Sequence, residues 1–371
     1  MTRLLTRKDA PAETRIQRTE RSRVPDSGEV ILAPDLLSLT TNNITYAAFG
    51  DALGYWQFFP TGEAGWGHMP AWGLADVVAS RAPGVEAGAR YFGFFPLASH
   101  VWMRPERVTE RGFADGAGHR KPLPAVYNQY ARCAADPYYH PQTEALQCLL
   151  KPLFLTSFLL ADFLADNGFF GARRLVVSSA SSKTAYGTAA CLEGRPDLRL
   201  IALTSSRNRN FVERLGCYHE TVSYAQLAGL PGDEPTMYVD FSGDPALRDQ
   251  VHRHFGAGLV YSCSVGAAHT TVPAPLTAAV GPEPQFFFAP VQVRKRNEDW
   301  GAAELNRRIG ESLLRFYDRV TAAPEPWLAV VRNEGFEAAQ DVIARLCRGA
   351  VPPGEGHVFR VQPPPDIVAA R

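Results

Sequence analysis

Residues 173–186, RRLVVSSASSKTAY, constrain the fold more than any other stretch of this chain. Leu175, Val176 and Val177 form the short, apolar, β-branched run that a parallel strand buried on both faces requires. Small hydroxyl residues dominate Ser178 to Thr184, and Ala185, Ala189, Ala190 and Leu192 continue at helical spacing. A strand, a tight turn of small residues and a helix N-terminus together present backbone N–H groups and the positive end of a helix dipole to an anion. A pyrophosphate meets that description. Dinucleotide-binding turns ordinarily use Gly-x-Gly-x-x-Gly, because glycine permits the tight turn and the close approach of backbone to phosphate. Here Ser179, Ser181 or Ser182, and Thr184 or Ala185 occupy the corresponding places. Lys183, in the first helical turn, either neutralises the pyrophosphate or is a surface lysine poorly matched to the helix dipole.

A second apolar strand, Leu198 to Leu203, follows about one βαβ unit downstream and ends in Thr204-Ser205-Ser206-Arg207-Asn208-Arg209. A site for NAD(H) carries an acid at that strand end to hold the ribose 2′-hydroxyl, whereas a 2′-phosphate calls for hydroxyls and a cation. The acid is missing here. Ser205, Ser206 and Arg207 therefore favour NADP(H) over NAD(H), with Arg209 as a second candidate cation; the plain alternative is a pair of solvated arginines at a helix start. Two further strands are predicted at 237–241 and 258–262, with helical segments at 210–215 and 245–254. The first of these strands leads into Ser242 and Gly243, which are expected beside the cofactor. Repeated strand and helix at these spacings specify an α/β domain with a Rossmann-like, doubly wound parallel sheet and right-handed crossovers.

The order of these pieces resembles the medium-chain dehydrogenase/reductase superfamily, in its zinc-independent, quinone-reductase-like branch, and more narrowly the family DUF2855. The resemblance runs from about Leu36 to Val361. It is carried by TNNITYAAFGDALGYWQFFP (41–60), WGHMPAWGLADVVAS (66–80), RYFGFFPLASH (90–100), LLKPLFLTSFLLADFL (149–164), SSASSKTAYG, LTSSRNRNFVERLG, YVDFSGD and FFFAP (286–290). It implies that the Rossmann-like domain is inserted in a partly β, GroES-like catalytic domain. The expected divisions are a flexible leader at 1–28, a first catalytic part at 29–141, the cofactor domain at 142–290 and a second catalytic part at 291–371. It also implies a homodimer, with the late strand around Phe286 to Phe288 joining two cofactor domains edge to edge.

Composition agrees. The 371 residues, 46% apolar and 20% charged, suit two globular domains, and 38 basic against 38 acidic residues give no electrostatic case for nucleic acid or an anionic membrane. The arginine-rich start is followed by no hydrophobic signal core. The longest apolar run, 149–164, is interrupted by Lys151, Pro152 and Asp162 and reads as a buried helix entering the cofactor domain. Six cysteines are scattered without a C-x-x-C pair, which argues against zinc and against a disulfide scaffold and for reduced thiols in the cytoplasm.

Without a metal, a phenol, hydroxyl or amine must polarise a carbonyl or relay a proton. Tyr46, in the polar stretch of Asn42, Asn43 and Thr45, is the first candidate for the proton donor; its alternative is a core tyrosine satisfying a backbone group. Asn43, Tyr55 and Trp56 are expected to wall a substrate pocket. Lys151 either faces the cofactor or reaches to the surface, and Thr156 and Ser157 are placed to contact the nicotinamide half. His269, at a strand end, is either a proton relay or a loop histidine of structural or no special role. Aromatic density before residue 140 suits a small, flat or hydrophobic substrate. The expected activity is hydride transfer with a carbonyl, alcohol or enone. Two alternatives use the same fold: a redox-neutral lyase of retro-aldol type that retains its nicotinamide cofactor, and a non-catalytic NADP(H) sensor.

Overall fold

The structure, a computed structural model, describes residues 1–20, 23–265 and 280–361. Along the chain the strands and helices run β1 (Thr2–Arg7), β2 (Thr14–Arg18), β3 (Val30–Leu39), α1 (Thr41–Ala48), β4 (Trp66–Gly67), β5 (Pro70–Ser80), β6 (Arg90–Pro96), β7 (Val101–Met103), β8 (Pro105–Thr109), β9 (Gly112–Asp115) and β10 (Gln129–Arg132). They continue with α2 (Glu144–Asp166), β11 (Arg174–Val177), α3 (Lys183–Leu192), β12 (Arg199–Thr204), α4 (Arg209–Leu215), β13 (Glu220–Ser223), β14 (Thr236–Asp240), α5 (Pro245–Phe255) and β15 (Leu259–Ser264). The last are β16 (Gln285–Phe286), α6 (Ala289–Trp300), α7 (Ala302–Thr321), β17 (Ala329–Glu334), α8 (Gly335–Cys347) and β18 (Glu355–Arg360). The chain divides into two compact units, Met1–Leu149 with Val330–Arg371, and Leu150–Ala329.

The discontinuous unit is mainly β. Its larger sheet has nine strands in the order β17-β18-β3-β5-β6-β10-β9-β8, with β7 also paired to β3. Alternate residues of β3, β5 and β6 bury Leu32, Leu37, Val77, Phe94 and others in one core. Gly73 is required where β3 and β5 meet, because a Cβ there would lie 2.2 Å from the Leu36 carbonyl oxygen. The expected leader is part of this unit instead. β1 pairs antiparallel with both β2 and β4, Leu4 and Leu5 are fully buried, and Arg3 bonds Gln17 at 2.6 Å and Glu63 at 2.9 Å. Most of the arginines that read as a solvated leader are matched by acids in this unit, with Arg7 held by Asp9 and Glu13 and Arg15 by Glu63.

The division between units falls inside α2, next to Pro152. Proline has no N–H to give the carbonyl four residues back. That carbonyl, of Cys148, accepts the Ser38 hydroxyl at 2.8 Å. α2 is long and apolar enough to span a membrane by composition, and half of its most apolar stretch is buried within the protein.

The continuous unit carries a six-stranded, all-parallel sheet in the order β13-β12-β11-β14-β15-β16. Counted from β11, this is the doubly wound order 3-2-1-4-5-6, with the switch between β11 and β14 where such sheets bind ligands. The central strands are dry on both faces, with Val176, Ile201, Leu203 and Tyr238 fully buried. α6 and α7 belong to this unit rather than to a second catalytic part beginning at 291. Arg296 of α6 clasps Asp162 of α2 at 2.6 Å, and Phe316 of α7 stacks on Phe154 at 4.7 Å between centroids. Ser157 packs α2 against α3: its hydroxyl meets the Leu153 and Thr184 carbonyls at 3.1 and 2.8 Å, and a Cβ on Gly187 would lie 2.7 Å from it. It is fully buried and takes up its hydrogen bonds inside the helix pair, so it does not serve as the expected nicotinamide contact.

Candidate nucleotide site

β11 ends at Val177, and the next residues are fixed from below. The buried Ser178 hydroxyl donates to Asp240 Oδ1 at 2.8 Å and accepts from the backbone N–H groups of Phe241 and Ser242. The same carboxylate oxygen accepts from Ser242 N–H at 2.9 Å, the Ser242 hydroxyl at 2.6 Å and Gly243 N–H at 3.1 Å. Asp240, 1% exposed, thus ties the exit of β14 to the exit of β11.

Ser179 stands at φ 46°, the left-handed region that glycine enters without a Cβ penalty. The serine turn keeps a conformation suited to glycine, and it uses its amides internally. Ser179 N–H donates to the Tyr224 hydroxyl at 3.3 Å, Ala180 N–H to the Leu203 carbonyl at 3.3 Å and Ser182 N–H to the Ser179 carbonyl at 2.8 Å. Ser182 caps α3 by accepting from Ala185 N–H at 3.4 Å. The free amides expected across this turn are therefore partly taken.

A cavity of about 270 Å³ lies over these strand ends. Thr204, Ser205, Arg207 and Asn208 line it from the β12 exit, Ser181 from the β11 turn, Tyr224 from just past β13, and Ser242, Asp244 and Leu247 from the β14 exit. The Ser205 hydroxyl is buried with no hydrogen-bond partner among the described residues. Such an atom costs about 1–3 kcal/mol unless something answers it. The two candidate cations separate clearly. Arg209 is held by Glu213 at 2.7 Å and Gln226 at 3.1 Å. Arg207 is exposed, lines the cavity and enters no salt bridge with another of the described residues. Asn208 donates to the Ser181 hydroxyl at 3.0 Å and so joins the β12 exit to the serine turn.

Other sequence candidates fall elsewhere. Ser206 is exposed and outside the cavity lining; Lys183, Thr184 and Gly243 are half-buried and also outside it, and Lys151 is half-buried on α2. His269 lies outside the described residues. The polar stretch around Tyr46 is a helix rather than a loop. Thr40 and Asn43 form its capping box, and Asn43 also donates to the Pro70 carbonyl at 2.9 Å. Asn43 is 4% exposed with both ends of its amide occupied, so it does not wall a pocket. Trp56 is likewise 4% exposed, with Gly50 and Gly67 pressed so close that a Cβ on either would meet its ring at 2.0 and 2.4 Å. Tyr46 accepts the Trp72 indole N–H at 3.0 Å, and the hydroxyls of Tyr55 and Tyr127 meet at 3.0 Å. Burial, then the neighbouring phenols, raises the pKa of Tyr46 and Tyr55 well above the ordinary tyrosine value, so both stay neutral. Among the described residues no three His, Cys, Asp or Glu side chains converge as a metal site.

Residues 37–352 match the family described as "Protein of unknown function (DUF2855)". The chain belongs to DUF2855. No curated protein matches it in sequence. Solved structures share the fold of this DUF2855 member over nearly its whole length. CurA from Vibrio vulnificus, in complex with NADPH, superposes with a TM-score of 0.62 at 14% identity, covering 98% of this chain and 100% of that one. The YhdH oxidoreductase from Salmonella enterica, in complex with NADP, gives 0.54 at 15% identity with 98% and 100% coverage. The CurK enoyl reductase gives 0.51 at 11% identity with 97% and 99% coverage. The DUF2855 chain thus shares the fold of these proteins.

Five lining residues, Thr204, Asn208, Tyr224, Asp244 and Leu247, were not singled out as cofactor contacts by sequence. The segment around Glu220 to Ser223 carries one buried apolar side chain, Val222, and so gave no strand signal from which to place Tyr224. Asp244 and Leu247 were legible only as the cap and first turn of a helix after a strand.

Proposed function

We propose that this protein binds NADP(H) across the exits of β12, β11 and β14 and acts as an NADP(H)-dependent oxidoreductase on a small aromatic or hydrophobic carbonyl, alcohol or enone. The observation that carries the reading is the buried, unanswered Ser205 hydroxyl next to Arg207, at a strand end without an acid. A 2′-phosphate would supply acceptor oxygens for that hydroxyl and a dianion for that guanidinium. The positive end of α3 would face the pyrophosphate, and Asp240 would keep the two turns in register beneath it. Bound nicotinamide would supply the hydride donor or acceptor. CurA and YhdH, fold neighbours crystallised with NADPH and NADP, support the reading.

Titration with NADPH and NADH tests it. The wild type should bind NADPH the more tightly, and Arg207→Ala should weaken NADPH by about 10- to 100-fold while leaving NADH unchanged, the loss of a charge-assisted contact of about 1.5–3 kcal/mol. Equal affinity for both nucleotides in the wild type, or no saturable binding of either, would sink the assignment.

We further propose a homodimer through β16, the last strand in the sheet order, where Phe286 and Phe288 are 58% and 53% exposed. Its molar mass in solution should be twice that of one chain, and a monomeric mass would reject the dimer. A cytoplasmic setting suits the six free thiols.

A further inference from the structure

We propose that Asp244 reads the exocyclic amine of the adenine ring and so selects the base of the nucleotide; this rests on the NADP(H) reading above. The cavity has two charged lining residues among those described, and they come from opposite flanks. Arg207 follows β12 and Asp244 follows β14, with β11 between those strands in the sheet. A ligand with an anionic group at one end and a hydrogen-bond donor at the other is oriented by that pair. The 2′-phosphate and 6-amino group of an adenosine phosphate have that polarity.

Asp244 is held for the task. Its Oδ1 accepts from Ala246 and Leu247 N–H at 2.9 and 3.3 Å, capping α5, and its own N–H donates to the Ser242 hydroxyl at 3.2 Å. These bonds fix the carboxylate and engage one oxygen. The second carboxylate oxygen is an acceptor. Adenine offers a donor at its 6-position, whereas guanine and hypoxanthine carry an oxo acceptor there. Leu247, buried on the same flank of the lining, supplies apolar surface for the ring.

The experiment compares binding of NADPH and of its deaminated analogue, which carries hypoxanthine in place of adenine, to the wild type and to Asp244→Asn. Asparagine retains the cap acceptor and replaces the second carboxylate oxygen by an amide donor, so the helix survives while the preference for adenine narrows or inverts. The wild type should favour NADPH by about 10-fold or more, and Asp244→Asn should narrow or invert that ratio with an unchanged melting temperature. A wild type that does not discriminate, or an identical ratio in the variant, overturns the assignment and leaves Asp244 as a helix cap only. A wild type that binds neither nucleotide overturns the NADP(H) reading as well.

Discussion

The cavity of the α/β unit and the phenol cluster of the mainly β unit are both rich in hydroxyl groups, and they use them in opposite ways. In the cluster the hydroxyls answer one another: Trp72 donates to Tyr46, Tyr55 and Tyr127 pair, and the rings of Tyr46 and Tyr55 pack at 4.7 Å. In the cavity the Ser205 hydroxyl has no partner among the described residues, and Arg207 projects from the exposed turn beside it. Groups that satisfy each other hold a fold together. A buried, unanswered hydroxyl that lines a cavity beside an exposed cation is the arrangement a bound anion would complete.

That contrast predicts that changes in the β unit alter stability and changes at the cavity alter binding. The largest effect should come from Trp56→Ala, about 3–5 kcal/mol of unfolding free energy in a urea titration, because the cavity it leaves is walled by tightly packed backbone. A cost below 1 kcal/mol would show that the aromatic cluster is not core.

His68, 5% exposed with its Nδ1 unpartnered among the described residues, gives a pH-dependent effect of about 3 kcal/mol. Burial, helped by the charge of Arg3, lowers its pKa from 6.5 to about 4. The unfolded chain therefore takes up the proton first. Stability is intact above pH 6.5 and falls as pH drops toward 4. The difference between the wild type and His68→Gln across that window isolates this histidine from carboxylates that titrate nearby, and a constant difference would contradict the assignment.

Arg207→Ala should shift binding by about 1.5–3 kcal/mol and leave the melting temperature in place. A fall in melting temperature of several degrees would move Arg207 into the structural class. The smallest effect is expected of Tyr46→Phe. It removes the acceptor of the Trp72 indole at a cost of about 1 kcal/mol in stability. NADPH affinity should be unchanged, and weakened binding would return Tyr46 to the site.

The fold was legible where burial leaves a one-dimensional trace. The strands β11, β12 and β14 carry apolar runs buried on both faces, and their ends and those of β15 fall within two residues of the sequence reading. The N-terminal strands were missed for the opposite reason. Six residues with two buried leucines carry little pattern, and the arginines of these strands find their acids as far away as Glu63 and Glu337. The place of α6 and α7 was hidden because Asp162 and Arg296, which join α6 to α2, lie far apart in sequence. Serine, arginine and the missing acid after β12 were legible because local chemistry carries them. The sequence ranked Arg207 ahead of Arg209, and the folded turn gives the reason to set Arg209 aside, since Glu213 and Gln226 occupy it. Likewise the sequence offers Tyr46, Asn43 and Trp56 as polar or aromatic candidates, and only packing shows their groups engaged within the fold.

The most direct test is calorimetric titration of the purified protein with adenosine 2′,5′-bisphosphate and with adenosine 5′-monophosphate, which differ only in the 2′-phosphate. Saturable binding of the bisphosphate is expected at least about 10-fold tighter than that of the monophosphate, with the difference abolished in Arg207→Ala. Equal binding of the two, or a difference that survives the loss of Arg207, would contradict the NADP(H) reading.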